Sequence, residues 1–233
     1  VPIGITPVEK RAVVEAAESA GAREVYLIEE TMAAALGANM DSVLNSRGGM
    51  IIDIGGGTTG ISVISLGGLV ISRSIKTAGD SMNQAIIGYV KNTYGLLIGE
   101  NMAESVKKTI CDVTDVPSES LKMSVRGRSL ESGLPESIQL TAIDTKRALD
   151  ESVIDILNTV VETLDSTPPE LSGDIMVDGI VLAGGGALLG GLAERLSKAT
   201  RLKVTVADDP LMCVVRGCGK ALEEINTLRK ISL

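Results

Sequence analysis

Residues 50–60 read MIIDIGGGTTG, an apolar run followed by an aspartate, three consecutive glycines and two threonines. Glycines can adopt backbone angles closed to other residues, so consecutive N–H groups in such a turn can converge on an anion. The stretch lacks the lysine of GxxxxGK[ST] and the spacing of GxGxxG, so it is neither of those phosphate loops. A tight β-hairpin without a ligand explains the same residues equally well. The residues that would form the site are Gly55, Gly56, Gly57, Thr58 and Thr59.

Strand and helix patterns alternate on both sides of this turn. Strands are predicted within residues 23–28, 49–64, 69–77, 179–182 and 202–207, and the second of these ranges holds two strands joined by the glycine turn. Helices are predicted at residues 6–19, 32–36, 80–95, 99–110, 144–166, 188–198 and 211–228, with a shorter one starting at 167–170. This alternation predicts an α/β fold, with Asp80 as the cap of the third helix.

Residues 111–145 differ from the rest of the chain. They contain short, polar, β-prone pieces at residues 122–125 and 137–141, separated by glycine and proline. We therefore expect a small separate sheet in an inserted subdomain.

A second glycine run repeats the first. Residues 180–188 read IVLAGGGAL, and residues 51–59 read IIDIGGGTT, so each apolar strand ends in three glycines. Because α/β sheets bind ligands beyond the carboxyl ends of their strands, the two runs are expected to form two walls of one cleft. The second run also precedes a helix, whose N-terminus favours anions. A close strand–helix packing turn accounts for it equally well.

Several charged residues are candidates for chemistry near these turns. Asp53 follows an apolar strand and could hold a hydrated Mg²⁺ ion. Glu29 and Glu30 could orient a water for hydrolysis, although acidic residues at a helix start are more simply explained by the helix dipole. Glu104 and Lys107 lie three residues apart on one helix face, which suffices for an ordinary ion pair.

The composition limits the function. The net charge of −8 disfavours nonspecific binding of nucleic acid, and the absence of histidine excludes a His-based metal site or general base within these residues. The three cysteines form no CxxC pair, which indicates reduced thiols in a cytosolic protein. No apolar run reaches the roughly 20 residues of a membrane span, and no signal peptide opens the chain. Because it begins at Val1 with residues typical of mid-domain structure, it is expected to be a fragment.

Six segments appear in a specific order along the chain. They are EETMAAALG at 29–37, DIGGGTT at 53–59, AGDSMNQAI at 78–86, GENMAESVKK at 99–108, TPPEL at 167–171 and GIVLAGGGALLGGL at 179–192. In this order and spacing, over essentially all 233 residues, the chain resembles the MreB family of actin-like bacterial shape proteins.

The resemblance implies an actin-like ATPase fold with ribonuclease H-like sheets, in which two large α/β subdomains flank a nucleotide cleft and each carries a smaller one. The implied division assigns 1–46 to the first large subdomain, 47–77 and 145–210 to the second with the cleft, 78–144 to an inserted small subdomain, and 211–233 to a hinge helix returning to the first. The family's first phosphate loop, of Asp-x-Gly-Thr type, is not among these residues. The fold is therefore expected to be incomplete at its N-terminus.

The resemblance also implies a site for ATP or ADP with Mg²⁺. In it, Asp53, Gly55, Gly56, Gly57, Thr58 and Thr59 form the second phosphate loop, with Asp53 holding Mg²⁺ through water. Glu30 positions the attacking water, and Glu104 and Lys107 face the adenosine. Gly184, Gly185, Gly186 and Ala187 form the adenosine loop, and Gly79 and Asp80 lie near the cleft. Thr31 and Gly60 depart from the proline and the acidic residue usual in the family.

The function implied is an ATPase that assembles with itself into filaments and directs cell-wall synthesis and rod shape. Such a protein is cytoplasmic and peripheral at the inner face of the cell membrane, has cell-wall synthesis and shape proteins as partners, and does not bind nucleic acid. The missing phosphate loop predicts impaired turnover in this chain, so a binding or assembly module without ATP turnover is one alternative. Another member of the actin-like ATPase group, such as a sugar kinase or a chaperone, is a second.

Overall fold

A computed structural model describes residues 1–40 and 45–223. Within them lies a mixed five-stranded sheet of order β3-β2-β1-β7-β8. Its strands are β1 at Gly49–Ile54, β2 at Thr59–Ser65, β3 at Gly68–Ile75, β7 at Ile180–Ala183 and β8 at Val204–Val206. The α/β class predicted from the alternation of patterns is confirmed.

Strand β1 is the centre of this sheet and is buried along its whole length, as its continuous apolar sequence predicts. It pairs antiparallel with β2 through the glycine turn and parallel with β7. The register places Asp53 opposite Ala183, so the glycine runs that follow β1 and β7 lie side by side.

The described residues form eight helices. They are α1 at Pro7–Ser19, α2 at Glu30–Gly37, α3 at Gly79–Tyr94, α4 at Glu100–Ile110, α5 at Ala142–Asp165, α6 at Pro169–Asp178, α7 at Leu192–Thr200 and α8 at Cys213–Glu223. Helices pack on both faces of the sheet, whereas α1 buries none of its residues. Short 3₁₀ turns occupy Gly185–Leu188 and Pro210–Met212. None of the helices in the described part of the chain is long and apolar enough to cross a membrane.

Alternation along β1 divides the core into two layers. Met50, Ile52 and Ile54 face the larger core, which includes residues of α3, α4, α5 and α7. Ile51 faces the smaller core with residues of α2 and α8. Asp53 shares the face of Ile51, which directs its carboxyl group toward the start of α2.

Helices α2 and α8 pack with almost no space between their backbones. A Cβ atom on Gly37 would lie 1.8 Å from the Cys213 carbonyl oxygen, and one on Gly217 would lie 1.7 Å from the Ala33 carbonyl oxygen. The pairing of 37 with 213 and of 33 with 217 shows that the helices run antiparallel. Glycine is therefore needed at both positions for the helices to approach this closely.

A second, antiparallel sheet lies beyond α3 and α4. It has the order β4-β5-β6, with β4 at Leu96–Leu97, β5 at Lys122–Ser129 and β6 at Pro135–Thr141. This confirms the small sheet predicted for residues 111–145. The boundaries of the four subdomain segments stay a prediction.

Four local predictions differ from the structure. Residues 23–28 form no strand, and the Ile28 carbonyl oxygen accepts a hydrogen bond from the Val1 amino group at 2.7 Å. The cap of α3 is Ala78, not Asp80, and the Ala78 N–H donates to Ser81 Oγ at 2.9 Å. The helix predicted from residue 188 begins only at Leu192, after a 3₁₀ turn. The last helix begins at Cys213 rather than at 211, and its predicted part beyond 223 lies outside the described residues.

Candidate functional site

The carboxyl ends of β1 and β7 open into a cleft of about 680 Å³. Most of the residues singled out from the sequence line it. They are Glu30, Asp53, Gly55, Gly56, Gly57, Thr58, Gly79, Asp80, Glu104, Lys107, Gly184, Gly185 and Gly186. The prediction that the two glycine runs share one cleft is confirmed.

Three of the residues singled out from the sequence lie outside the lining; they are Glu29, which is the N-cap residue of α2, Thr59 and Ala187. Thr59 is fully buried, and its hydroxyl donates to the Thr77 carbonyl oxygen at 2.7 Å, so it fixes the end of β2. Ala187 is buried in the larger core. Both occupy strand or turn positions next to the cleft, and their side chains pack inward.

The first glycine turn does not have the backbone that its composition suggests. Neither Gly55, Gly56 nor Gly57 has a positive φ, so the expectation that they adopt angles closed to other residues is wrong. A Cβ on Gly57 would meet nothing within 4 Å, and one on Gly56 would approach only the Asp80 carboxyl group, at 3.5 Å. The protein's own packing therefore does not require glycine at either position. Glycine here keeps space in the cleft open for a ligand to approach the backbone.

The turn is held by the first residues of α3. The Gly79 N–H donates to the Gly55 carbonyl oxygen at 3.0 Å, and the Asp80 N–H donates to the Gly56 carbonyl oxygen at 2.8 Å. The turn itself closes through the Gly55 N–H, which donates to the Thr58 carbonyl oxygen at 2.9 Å. The free N–H groups of the helix thus bind the turn.

The second glycine turn packs directly on the end of β1. Gly184 has φ of +77°, and a Cβ there would lie 2.4 Å from the Ile54 carbonyl oxygen. A Cβ on Gly186 would lie 2.1 Å from Ile54 Cγ2. Glycine is needed at both positions for packing, as the alternative of a close packing turn proposed. The same packing places this turn at the wall of the cleft.

Asp53 and Glu30 give the floor of the cleft a concentrated negative charge. Asp53 is only 7% exposed. Burial, and secondarily the charge of Glu30, raise the pKa of Asp53 to about 6. No hydrogen bond from the described residues lowers the pKa of this carboxyl group. A buried carboxylate with no donor and a second carboxylate beside it fits a hydrated cation.

No cluster of three or more His, Cys, Asp or Glu able to hold a metal exists within residues 1–40 and 45–223. A cation at Asp53 would therefore take its remaining ligands from water or from a bound ligand, as Mg²⁺ commonly does.

On the opposite wall, Glu104 is the centre of a charged network. Its Oε2 accepts from Lys107 Nζ at 2.7 Å and from Asn83 Nδ2 at 2.9 Å, and its Oε1 accepts from Lys108 Nζ at 2.9 Å. Hydrogen bonds from Lys107 first, then from Lys108, lower the pKa of Glu104 to about 2. The predicted pair of Glu104 and Lys107 is present, but the Lys107 side chain is only 11% exposed and is no surface group.

Some residues that line the cleft were not predicted from the sequence. Lys108 lines the cleft with a side chain 72% exposed, and its place beside Lys107 in the sequence was the available signal. Five apolar residues also line the cleft; they are Met82, Leu188, Leu189, Leu211 and Val214. Met82 lies in α3, and the other four lie after the second glycine run and around the start of the last helix. Apolar residues at such places are typical of ordinary core positions.

Thr31 and Gly60, the two residues that depart from those usual in the family, lie next to each other. A Cβ on Gly60 would lie 2.8 Å from Thr31 Cγ2, and the Thr31 hydroxyl accepts a hydrogen bond from Ser62 at 2.8 Å. A larger residue at position 60 would therefore not fit beside Thr31.

The fold and this cleft define the chain as an α/β protein of the actin-like class. It superposes on MreB5 of Spiroplasma citri bound to AMPPNP with a TM-score of 0.93 and 37% identity, covering 100% of this chain and 69% of that one. It also superposes on the MamK double helical filament with a TM-score of 0.81 and 25% identity, covering 96% of this chain and 67% of that one.

Within this class, the chain belongs to the MreB/Mbl protein family, whose sequence model matches residues 1–230. It is 48% identical over 227 residues to the cell shape-determining protein MreB of Escherichia coli (strain K12). That match covers 97% of this chain and 65% of the relative, so the chain spans slightly less than two thirds of the relative's length. The resemblance inferred from the six segments is confirmed.

Proposed function

We propose that this chain carries the nucleotide cleft of an actin-like, filament-forming cell shape protein and binds ATP or ADP together with Mg²⁺. The observation that carries the proposal is the convergence of two triple-glycine turns on one cleft, where Gly56 and Gly57 leave open space above their backbones. The structural relative bound to AMPPNP supports this choice of ligand.

The charges of the cleft explain why a divalent cation belongs with the nucleotide. The lining holds the carboxyl groups of Glu30, Asp53, Asp80 and Glu104 against the amines of Lys107 and Lys108. A polyphosphate alone would be repelled by the acidic floor. Bound Mg²⁺ supplies charge neutralisation for the phosphates.

Different residues of the cleft bind the phosphates, hold the cation and position water. The N–H groups of Gly56 and Gly57 bind phosphate oxygens, and Asp53 holds the water shell of the cation. Glu30, at the start of α2 beside Asp53, orients the attacking water. The apolar wall near Leu211 and Val214 excludes water from the nucleoside end.

The whole protein that includes this chain is proposed to hydrolyse ATP, to assemble with itself, and to act with cell-wall synthesis and shape proteins on the inner face of the cell membrane. The relatives named for cell shape determination and for a double helical filament support this proposal. Binding or assembly without turnover stays the alternative for the chain alone, since it spans 65% of the E. coli relative. The match to the MreB/Mbl family argues against the other alternative, a sugar kinase or a chaperone of the actin-like ATPase group.

Gly57→Val tests the site with little expected effect on the fold, because a Cβ atom there would meet nothing within 4 Å. We expect ADP with Mg²⁺ to raise the melting temperature of the unmodified chain and to have no effect on the variant, because the side chain fills the phosphate position. Gly173→Val is the matched control, since it also meets nothing within 4 Å and lies in α6 away from the cleft. An equal ADP-dependent shift in both variants would refute the assignment.

A further inference from the structure

Thr31 follows Glu30 in the first turn of α2, and its side chain is fully buried. Its hydroxyl accepts a hydrogen bond from Ser62 Oγ of β2 at 2.8 Å. Its methyl group lies against Gly60, where an added Cβ atom would be 2.8 Å from Thr31 Cγ2. The two branches of this side chain therefore contact two residues of one strand, which fixes its rotamer.

These contacts place Thr31 on the face of the sheet that carries Asp53. In the pairing of β1 with β2, Gly60 lies opposite Asp53, and Ser62 lies opposite Ile51. Residues directly opposite each other in an antiparallel pair share a face of the sheet, and Ile51 lies on the face that α2 covers. Thr31 thus joins the first turn of α2 to β2 beside the floor of the cleft.

The start of α2 lacks the side-chain cap that commonly fixes a helix N-terminus. Its N-cap residue, Glu29, makes no capping hydrogen bond through its side chain. The Glu30 N–H donates to the Val1 carbonyl oxygen at 2.9 Å, and the Ala33 N–H donates to the Glu29 carbonyl oxygen at 2.9 Å. Neither of these bonds reaches the five-stranded sheet, whereas the side chain of Thr31 does.

A second buried threonine shows what an ordinary helical hydroxyl does in this chain. Thr163 of α5 is also fully buried, and its hydroxyl donates to the Thr159 carbonyl oxygen of its own helix at 2.7 Å. Such a bond satisfies the hydroxyl and fixes nothing outside the helix. The bond of Thr31 instead links two elements, and the residue before it, Glu30, lines the cleft.

We propose that Thr31 is a positioning residue, which through its bond to Ser62 holds the first turn of α2 against β2 and so keeps Glu30 in place beside Asp53. The inference rests on the proposed role of Glu30 in orienting the attacking water. The rate depends steeply on such an alignment, because a displacement of about 1 Å can cost about 10²-fold. Nucleotide binding uses other residues of the cleft, so the effect is expected in the rate and not in the affinity.

Thr31→Val removes this bond and keeps the shape of the side chain. Ser62 Oγ stays hydrogen-bonded to Ser72 Oγ at 3.1 Å, so the change leaves no buried hydroxyl unpaired and the fold should be retained. In the full-length protein, we expect Thr31→Val to slow phosphate release about tenfold at an unchanged KM for ATP. Thr31→Ser keeps the hydroxyl and should retain most of the rate. Thr163→Val is the matched control and should leave the rate unchanged.

The same change in a Glu30→Ala background separates positioning from a general structural role. Because Thr31 acts through Glu30, Thr31→Val should slow phosphate release no further once the Glu30 carboxylate is absent. An equal slowing in both backgrounds, or an unchanged rate in Thr31→Val alone, would overturn the inference.

Hydrogen exchange in the nucleotide-free chain separates this inference from the proposed function. The Ala33 N–H closes the first turn of α2, and it should exchange about fivefold faster in Thr31→Val, because the loss of one hydrogen bond loosens that turn. Its exchange rate should not change in Thr31→Ser or Thr163→Val. If Glu30→Ala releases phosphate at the unmodified rate, the proposed role of Glu30 fails, and the exchange still decides whether Thr31 holds this turn. An Ala33 exchange rate that does not respond to Thr31→Val would contradict the inference.

Discussion

Asp53→Asn tests the charge at the floor of the cleft through stability alone. The folded chain raises the pKa of this carboxyl group from 3.8 to about 6, first through burial and then through the charge of Glu30. The protonated form is therefore favoured in the folded state, and ionisation opposes folding. This penalty is absent below pH 3.8, grows as the pH rises toward 6, and is complete above it.

The size of the effect follows from the two pKa values. A difference from 3.8 to about 6 corresponds to about 3 kcal/mol of unfolding free energy at pH 7.5. Asparagine has the same shape without the charge. We expect Asp53→Asn to raise the unfolding free energy by up to about 3 kcal/mol at pH 7.5 and by a small fraction of that at pH 4.

Urea denaturation at the two pH values, in buffer with a chelator to remove divalent cations, measures the difference. Glu151→Gln is the control, because it makes the same acid-to-amide change at an exposed position of α5. A variant less stable than the unmodified chain at pH 7.5, or an effect equal at both pH values, would show that Asp53 is not an uncompensated buried carboxylate.

Two further outcomes test the helix packing and the catalytic assignment. Gly217→Ala should destabilise the chain by about 1–3 kcal/mol or more, because its Cβ would lie 1.7 Å from the Ala33 carbonyl oxygen. Gly219→Ala is the control in the same helix and should not destabilise the chain, because its Cβ would meet nothing within 4 Å. Equal melting temperatures of the two variants would refute the close packing of α2 and α8. In the full-length protein, Glu30→Ala should retain ATP binding and slow phosphate release by about 10²-fold. An unchanged rate of phosphate release would show that Glu30 does not position the attacking water.

Local sequence signals predicted the elements whose stability is local. Thr6, Pro7 and Glu9 indicate the start of α1, and the structure has this capping box, with the Glu9 N–H donating to Thr6 Oγ1 at 3.2 Å. The apolar run of β1 and its glycine turn gave the central hairpin for the same reason. Residues 23–28 have strand composition but form no strand, because strand formation depends on pairing between distant segments, which local composition does not encode.

The candidate site was less accessible to sequence reasoning, because its geometry depends on contacts between distant segments. The parallel pairing of Asp53 with Ala183 brings the two glycine runs together, and their similar sequences made this predictable. The resemblance placed Lys107 in the cleft. Its bond to the Gly79 carbonyl depends on how α3 and α4 pack, which no local pattern encodes. The inward direction of the Thr59 hydroxyl likewise follows from its bond to Thr77.

A structure of the chain with ADP and Mg²⁺ would show whether the two triple-glycine turns form one nucleotide site. We expect a phosphate oxygen about 3 Å from the N–H groups of Gly56 and Gly57 and the nucleoside against the turn at Gly184–Gly186. ADP bound at another surface, or no ADP at saturating concentration, would contradict this expectation.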